Sequence, residues 1–337
     1  MQWALVQIGI DLNIFTTLCA SPNPTGLREI LAATSASPTL FTRLLRSMAS
    51  FGLIVETAKD MFTANRITQA LAHPDVIGAF PHVTHLHALT AQVLPRYLRD
   101  HNYQDMTDTR DLPFHLALDT NLPPFEWMMQ HPEQMKALGH AMRIERRQSW
   151  VDSYPISSQI GAFQAADDSA LLVDIGGGFG QQAVAFKAQV TSNSGPIVVQ
   201  DVASTLTHAP AINGIDFQEH DFFTPQPVWG AKFYYLRHIL HDWTDEDSVR
   251  ILQNVVPALT SESRIVIDEV VMPDTKVPWQ CAFMDLTMSS SLGGRERSRD
   301  EWVTLLSSAG LQIEEVHTYD NVGKHSVIIA VPKTKAG

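Results

Sequence analysis

The sequence predicts a two-domain α/β protein, in which a doubly wound, mostly parallel sheet follows an N-terminal all-helical domain of the winged-helix type. The chain has 337 residues, more than the roughly 250–300 that a single hydrophobic core usually serves. Apolar residues recur at helical spacing in the first part of the chain. From about residue 170, short β-rich runs alternate with helical segments, which is typical of parallel sheets with crossover helices. We therefore expect domains at 1–155 and 156–337.

Composition narrows the class of protein. The net charge is −12 and the isoelectric point is about 5.5, so the chain lacks the basic face that a nucleic-acid binder needs. Its two cysteines, Cys19 and Cys281, are too few for a disulfide framework and too far apart for a structural zinc site. The sequence has no uncharged apolar run long enough for a membrane span. These features predict a cytoplasmic protein without nucleic-acid or membrane partners.

The N-terminal part predicts helices followed by a hairpin. The apolar stretch Met1 to Ala20 is interrupted by Asp11 and predicts a helix rather than a signal peptide. Short helices are expected at about 25–34 and 38–51, the second beginning at the N-cap pair Ser37-Pro38 and closed by Gly52. Its apolar stripe is Leu40, Leu44, Leu45, Met48 and Phe51. A hairpin over 53–63 completes a winged-helix pattern, which carries few cations and therefore favours packing or dimerisation over DNA binding.

Residues 66–155 predict further helices, with breaks at prolines. The prolines concerned are Pro81, Pro95, Pro113, Pro123 and Pro124. Methionine and aromatic side chains in this region fit either a core or a pocket. With two residues from the second domain, they suggest a flat, apolar acceptor of aromatic or polyketide type. These candidate pocket residues are Phe125, Met128, Met129, Met142, Phe283 and Met288.

The second domain is predicted to contain five strands that alternate with helices, and then a closing pair. The five are Leu171–Ile175, Ile197–Gln200, Asp216–Gln218, Phe233–Leu236 and Arg264–Glu269. The closing pair is expected near Leu311–His317 and His325–Val331.

A glycine-rich run follows the first of these strands. It reads Asp174-Ile-Gly176-Gly-Gly178-Phe-Gly180, where glycines allow the backbone to approach a ligand closely. The dinucleotide pattern fails because its third glycine position holds Gln181. The run instead suits a ligand with an amino-acid tail and an adenosine.

Two further acids follow the next two strands. Asp201 lies about 20 residues beyond the glycine run, the spacing at which doubly wound folds bind ribose hydroxyls. Asp221 could accept from an adenine amine, and the neighbouring Phe222 could cover the base. Either acid alone is equally consistent with a solvated loop residue and with a ligand contact, but together they predict a nucleoside site.

His241 follows the fourth strand, at the sheet edge where ligands of such folds bind. A histidine is the natural proton acceptor at neutral pH, although a structural role is an equal alternative from its position alone. Two carboxylates are candidates to orient it: Glu269 at the end of the fifth strand, and Glu296 in the segment Gly293-Gly-Arg-Glu-Arg297.

Together, the glycine run, Asp201, the His241-Asp242-Trp243 segment, the Gly293–Ser298 segment and Ala309-Gly-Leu311 resemble the S-adenosylmethionine-dependent O-methyltransferases of the caffeic-acid type, including their fungal secondary-metabolism members. The resemblance covers nearly the whole chain. It implies a class I methyltransferase domain with a Rossmann-like fold and a homodimer formed through the N-terminal helical domain. Members usually carry additional interlocking N-terminal helices, whereas this chain begins close to the helix at Ile8 to Leu18.

The resemblance also implies roles for individual residues. His241 would be the general base, flanked by Glu269 and Glu296, and no metal would be needed. The residues implied to bind S-adenosyl-L-methionine, with S-adenosyl-L-homocysteine as product, are Asp174, Gly176, Gly178, Gly180, Asp201, Val202, Asp221, Phe222, Arg237 and Trp243. Met288 would pack against the substrate ring, and Asp242 would also line the substrate pocket. The expected reaction is methylation of a phenolic or enolic hydroxyl.

A second hypothesis is left open by the same resemblance. Some fungal relatives keep the cofactor site but catalyse pericyclic or dehydrative rearrangements without methyl transfer. Loss of the catalytic histidine would favour that reaction, and His241 is present in this chain.

Overall fold

A computed structural model describes residues 1–144, 149–190, 195–207 and 209–333. The chain divides into two compact units. The first contains Met1–Gln92 and Ala117–Glu145, and the second contains Val93–Leu116 and Arg146–Gly337. The units therefore alternate along the chain instead of meeting at one residue.

Helices predominate in the first unit and alternate with strands in most of the second. The α-helices are α1 (Gln2–Asp11), α2 (Ile14–Ala20), α3 (Leu27–Ala32), α4 (Pro38–Ser50), α5 (Arg66–Leu71), α6 (Pro74–His82), α7 (Ala88–Asp100), α8 (Pro113–Leu118), α9 (Pro124–Met129), α10 (Pro132–Arg143), α11 (Trp150–Ser153), α12 (Ile156–Ile160), α13 (Gln181–Gln189), α14 (Ala203–Leu206), α15 (Asp245–Val255), α16 (Trp279–Leu292) and α17 (Arg299–Ser308). The strands are β1 (Thr25–Gly26), β2 (Val55–Ala58), β3 (Met61–Thr63), β4 (Leu172–Ile175), β5 (Ile197–Asp201), β6 (Asp216–Glu219), β7 (Phe233–Arg237), β8 (Arg264–Met272), β9 (Arg297–Ser298), β10 (Leu311–Thr318) and β11 (His325–Pro332). A π-helical turn spans Val83–His87, and 3-10 turns span Leu240–Asp242 and Val256–Ala258.

The structure contains the predicted N-terminal hairpin. The expectation of an all-helical N-terminal domain is therefore wrong, because this part of the chain also contains a small sheet. Strands β2 and β3 form the hairpin, and β1 joins it in a small antiparallel sheet of order β1-β3-β2. The Ser37 side chain accepts a hydrogen bond from the Leu40 N–H at the start of α4, which satisfies one of the backbone donors left over at a helix N-terminus.

Two details of the helices differ from expectation. The first is the stretch from Met1 to Ala20, which forms two helices because Asn13 adopts a left-handed conformation with φ of 53° between them. The second is the buried face of α4, which is formed by Phe41, Leu45 and Met48. Leu40 and Phe51 are exposed, since the helix turns them away from the core.

The prolines of the helical region act in two ways. Pro113 and Pro124 begin helices, as the sequence indicates. Pro81 and Pro95 instead lie inside α6 and α7. A proline removes one backbone donor, and tertiary packing can retain a helix despite that loss.

Among the described residues, no single helix is long and apolar enough to cross a membrane. Only α1 and α2 taken together pass that test of length and composition, and they are bent by 64° relative to each other.

The predicted α/β sheet is confirmed. Its strand order is β10-β11-β8-β7-β4-β5-β6, and β9 pairs with β8 outside this path. The neighbours from β8 to β6 are parallel, whereas β11 pairs antiparallel with both β8 and β10.

Both faces of the sheet are covered, which explains the apolar runs of its strands. Successive side chains point to opposite faces, so Tyr234 and Leu236 enter one core whereas Phe233 and Tyr235 enter the other. The carboxyl ends of β4, β5, β7 and β8 lie along one edge. That edge carries the residues discussed next.

Candidate active site

The glycine run forms the turn between β4 and α13. Gly176, Gly178 and Gly180 have φ of +67°, +57° and +80°, a region that L side chains rarely adopt. A Cβ on Gly176 would also lie 2.5 Å from Ile239 Cδ1. A side chain is thus disfavoured by backbone conformation at all three glycines, and at Gly176 also by close approach.

Asp174 lies at the carboxyl end of β4, behind the glycine run. Its side chain is buried, and its Oδ2 has no hydrogen-bond partner among the described residues. Burial raises the pKa of this carboxyl to about 7. A buried acceptor without a partner, beside a turn cleared of side chains, fits the polar end of a small ligand.

Asp201 and the glycine run are brought together, as their positions on neighbouring strands predict. Asp201 Oδ2 accepts from the Gly178 N–H at 2.9 Å, and its Oδ1 accepts from the Val202 N–H at 2.8 Å. The backbone N–H of His220 binds the carbonyl of Asp201, which places the following Asp221 near the same edge. This acid lies in an exposed turn and accepts from the Phe223 N–H.

The aromatic residues after β6 and β7 form a small cluster. The rings of Phe222 and Phe223 lie 6.0 Å and 4.8 Å from the ring of Trp243, both at steep angles. Phe222 also faces the glycine run, because a Cβ on Gly176 would contact its Cε1. These rings provide an apolar border beside the candidate nucleoside site.

Arg237 faces a buried acid that the sequence did not single out. Its Nε lies 3.4 Å from Asp268 Oδ2, and the hydroxyls of Tyr235 and Tyr319 donate to the same carboxylate at 2.6 Å. The structure therefore places Arg237 in a charge and hydrogen-bond network on the sheet, next to the candidate nucleoside site.

His241 is buried in the 3-10 turn that follows β7. Its Nδ1 lies 2.8 Å from Glu296 Oε1 and 3.8 Å from Glu269 Oε2. On the opposite side of the ring, Nε2 lies 3.3 Å from Asp242 Oδ1. The structure thus brings together His241 and the two glutamates that the sequence analysis proposed to orient it. It also places the Asp242 carboxylate beside the same ring.

These carboxylates control the protonation of the imidazole. Burial alone disfavours its charged form, but the negative charges of Glu269, Asp242 and Glu296 outweigh burial and raise the pKa of His241 to about 10. Burial in turn raises the pKa of Glu269 to about 7 and that of Asp242 to about 6. The cluster therefore favours the protonated forms of both the imidazole and the two carboxyl groups.

The two glutamates hold different parts of the turn. Glu296 contacts the imidazole itself, whereas Glu269 Oε1 accepts from the backbone N–H groups of Ile239 and Leu240. Ligand atoms of His241, Glu269 and Glu296 lie within 4.8 Å of one another, a spacing that a metal ion could use. In the structure these groups contact one another, since Nδ1 of His241 lies within hydrogen-bond distance of Glu296 Oε1.

Sequence reasoning missed three residues that position this turn. Arg297 is fully buried and donates to the carbonyls of Leu240 and Trp243. Gly294 approaches so closely that a Cβ would lie 2.0 Å from the His241 carbonyl oxygen. Asp285 accepts from the Glu296 N–H at 2.9 Å. Only their place in or near the Gly-Gly-Arg-Glu-Arg segment hinted at these roles.

The proposed pocket residues fall in both units. On α16 of the second unit, Met288 is buried and Phe283 is half exposed. In the first unit, Met128 is fully buried, Phe125 is partly buried, and Met129 and Met142 are exposed. Met288 and Asp242 belong to the neighbourhood of His241, because α16 packs against the turn Leu240–Asp242.

Comparison with known proteins gives a consistent result. The family described as "O-methyltransferase domain" matches residues 120–312. The demethylsterigmatocystin 6-O-methyltransferase of Aspergillus parasiticus is 47% identical over 333 residues, which cover 99% of this chain and 86% of that protein.

Two solved structures are also similar. A protein described as "A Pericyclic Reaction enzyme" has a TM-score of 0.93 and 32% identity, covering 98% of this chain and 86% of its own. OxaC, solved in complex with SAH and oxaline, has a TM-score of 0.86 and 26% identity, covering 98% and 85%.

Proposed function

The chain belongs to the O-methyltransferase family, and from this membership we propose that it methylates a phenolic or enolic hydroxyl of a small aromatic or polyketide-type metabolite with S-adenosyl-L-methionine. The observation that carries the proposal is the buried imidazole of His241, held between carboxylates at the ligand-binding edge of the sheet. The relative named as a demethylsterigmatocystin 6-O-methyltransferase supports an acceptor of this kind.

The residues at the sheet edge fit the methyl donor. The glycine run would accommodate its amino-acid end beside Asp174, Asp201 would bind the ribose, and Asp221 and Phe222 would border the adenine. Val202, Arg237 and Trp243 would complete the site. When bound, the donor supplies a methyl group already activated by a sulfonium charge.

His241 would hold the proton that the acceptor hydroxyl loses. Glu296 fixes the ring through Nδ1, so Nε2 is the nitrogen that meets the acceptor oxygen. Glu269 keeps the turn in place. Most of the acceleration would come from alignment of the acceptor oxygen with the methyl carbon.

We test this function by incubating the protein with S-adenosyl-L-methionine and a panel of phenolic and enolic metabolites. We expect release of S-adenosyl-L-homocysteine and the mass gain of one methyl group in an acceptor. Since a positioned acid–base group contributes about 10²–10⁴-fold, His241→Gln should lose activity by this factor. His317→Gln is the matched control, because His317 also pairs with a glutamate but lies on β10 away from the site. Equal activity of the two variants would refute the role of His241.

The likeness to the pericyclic enzyme supports one alternative. In that case the products would be rearranged or dehydrated metabolites formed without consumption of the methyl donor. Mass analysis of the same mixtures distinguishes the two reactions.

For the domains, we propose that 1–155 serves dimerisation and covers the substrate, whereas 156–337 binds the cofactor. Exposed apolar side chains in the first unit, among them Trp3, Leu40 and Phe51, support a homodimer through this region. Light scattering of the purified protein tests it, and a monomer at working concentration would contradict it.

A further inference from the structure

We propose that Asp268 is a positioning residue of the donor site, which holds the guanidinium of Arg237 ready to bind the carboxylate of the methyl donor. The hydroxyls of Tyr235 and Tyr319 hold Asp268 in turn. The inference rests on the proposed function and concerns its donor site. It adds three residues to that site and assigns a ligand group to Arg237.

Asp268 receives contacts from three segments of the second unit. It belongs to β8, and its side chain is almost fully buried. Each carboxylate oxygen accepts a hydrogen bond of 2.6 Å from a phenol, Oδ2 from Tyr235 on β7 and Oδ1 from Tyr319 just after β10. Arg237 pairs with Asp268 in the register of the two parallel strands, and its Nε lies 3.4 Å from Oδ2. The two phenols therefore fix the orientation in which the carboxylate faces the guanidinium.

A buried acid is a costly way to stabilise a sheet. Taking a carboxylate out of water costs free energy that its ion pair often only offsets, and apolar residues can pack such positions at least as well. The preceding residues of β8, Ile265, Val266 and Ile267, are apolar and fully buried. The acid at 268 therefore indicates a role that an apolar side chain cannot fill, namely to hold a cation.

Arg237 is that cation, and it reaches the ligand-binding edge of the sheet. It is the last residue of β7, and ligands of open α/β sheets bind beyond the carboxyl ends of the strands. The side chain of Arg237 is 20% exposed, whereas that of Asp268 is 1% exposed. A guanidinium has five N–H donors, more than one carboxylate oxygen can accept. The arginine can therefore contact the buried acid and a bound anion at the same time.

Asp174 indicates which anion this is. It lies near the carboxyl end of β4, the neighbour of β7 in the sheet, and its Oδ2 has no hydrogen-bond partner among the described residues. Burial raises the pKa of its carboxyl to about 7, and the charge of Arg237 opposes this rise. An acid and a cation thus lie close together at the ligand-binding edge. The amino-acid end of the donor is a zwitterion, so its ammonium suits Asp174 and its carboxylate suits Arg237.

Fixing the guanidinium in advance strengthens binding. An arginine side chain that rotates freely loses that freedom when an anion binds, which lowers the affinity. Arg237 has already lost part of it in the folded protein, because its Nε faces a carboxylate that two phenols hold in place. Loss of the charge of Asp268 should therefore weaken donor binding, although Asp268 acts only through Arg237.

The first experiment compares two ligands by calorimetric titration. S-adenosyl-L-homocysteine has the amino-acid end of the donor, whereas 5′-methylthioadenosine keeps the adenosine and lacks that end. Asp268→Asn removes the charge and keeps the shape of the side chain. We expect it to weaken binding of S-adenosyl-L-homocysteine at least about tenfold, the loss of a charged hydrogen bond, and to leave the affinity for 5′-methylthioadenosine unchanged. Equal losses for both ligands, or an unchanged affinity for S-adenosyl-L-homocysteine, would overturn the proposal.

Two neighbouring tyrosines provide a matched pair of variants. Tyr234 and Tyr235 are both fully buried, and both hydroxyls donate hydrogen bonds. The hydroxyl of Tyr234 binds backbone carbonyls in the opposite core, whereas that of Tyr235 binds Asp268. We expect Tyr235→Phe to weaken binding of S-adenosyl-L-homocysteine at least about threefold, and Tyr234→Phe to bind it as the unmodified protein does. Equal effects of the two variants would overturn the proposal, because they would reflect stability alone.

A double-mutant cycle tests whether Asp268 acts through Arg237. Arg237→Gln, Asp268→Asn and the double variant are titrated with S-adenosyl-L-homocysteine, and thermal unfolding confirms that each variant is folded. We expect the double variant to bind no more weakly than Arg237→Gln alone, because Asp268 then has no guanidinium to position. Losses that add would overturn the proposal, since Asp268 would act independently of Arg237.

The titrations also separate this inference from the proposed function. A protein that bound neither ligand would refute the donor site itself and, with it, the role of Asp268. A protein that bound both ligands, without a selective loss in Asp268→Asn, would keep the donor site and overturn only the role of Asp268.

Discussion

At the residue scale, the turn that carries His241 depends on a glycine because there is no space for a side chain. Gly294 lies against the backbone of His241 and Asp242, and a Cβ there would come within 2.0 Å of a carbonyl oxygen. Backbone atoms cannot yield as the end of a flexible side chain can. A methyl group at this position must displace the turn that carries the imidazole.

We therefore expect Gly294→Ala to lower kcat by about 10²-fold, the effect of misplacing a catalytic group by about 1 Å. Steady-state kinetics of methyl transfer measure the change. Gly26→Ala is the control, because Gly26 has φ of −74° and a Cβ there would meet only Met61 Sδ at 3.8 Å. Unchanged kinetics in Gly294→Ala would show that the turn accommodates the methyl group.

Asp201 offers a separate test of the nucleoside site. Asp201→Ala removes the carboxylate that accepts from Gly178, so we expect S-adenosyl-L-homocysteine to bind at least about tenfold more weakly, the loss of a charged hydrogen bond. Calorimetric titration measures this affinity. Asp216→Ala, at the opposite end of the neighbouring strand β6, should bind normally. A loss shared by both variants would indicate general destabilisation.

The sequence identified residues that carry recognisable chemistry but not those that act through the backbone. His241, Glu269 and Glu296 follow from position after strands or from motif, and the structure brings them together. Gly294 and Arg297 lie in the same motif, yet their roles depend on carbonyl groups of a turn about 50 residues earlier. No local pattern encodes such a contact.

At the scale of elements, Arg297 connects β9 to the turn of His241 and the start of α15. Its guanidinium binds two carbonyls of that turn and the carboxylate of Asp245, and it lies over the ring of Trp302. A lysine has a single ammonium and cannot make this planar set of contacts.

We expect Arg297→Lys to lower both kcat and the melting temperature, because it removes buried hydrogen bonds to the carbonyls of Leu240 and Trp243. Arg96→Lys is the matched control, since Arg96 forms an exposed pair with Asp100 on α7 and such pairs contribute little. Kinetics and thermal unfolding of both variants provide the measurement. Full activity in Arg297→Lys would mean that the turn holds its position without the guanidinium.

Elements with strong periodic patterns were predictable, and those decided by tertiary contacts were not. All seven strands expected after residue 170 are present, because buried β-rich runs between helices have few alternatives. The break at Asn13 and the prolines inside α6 and α7 were not foreseen. At Asn13 the residue type itself permits the left-handed conformation, whereas at the two prolines tertiary packing outweighs the local preference.

At the scale of the whole molecule, the two units contain histidines with opposite responses to pH. In the first unit, burial lowers the pKa of His82 to about 4 and that of His87 to about 3. In the second unit, the pKa of His241 is raised to about 10. The ordinary value in an unfolded chain is about 6.5.

The contributions of these histidines to stability should therefore be lost at opposite ends of the pH range. The contribution of His82 and His87 is present above about pH 6.5 and is lost as the pH falls through about 4. That of His241 is present below about pH 6.5 and is lost as the pH rises through about 10. Hydrogen exchange across this range should show α6 and the π-helical turn Val83–His87 opening in acid, and the turn after β7 opening in alkali.

Two variants serve as mutual controls for this prediction. His82→Gln should weaken only the acid dependence, and His241→Gln should weaken only the alkaline dependence. If a single variant altered stability at both acid and alkaline pH, the assignment of each pH dependence to its own unit would be wrong.

The placement of β11 has a consequence for how the protein is made. Strand β11 lies between β8 and β10, and α16, α17 and β10 are all synthesised between β8 and β11. During synthesis, β8, which carries Glu269, therefore has one edge unpaired until β11 is made. Unpaired strand edges can pair with other chains. The nascent protein is accordingly exposed to aggregation through this edge from the synthesis of β8 until β11 is added.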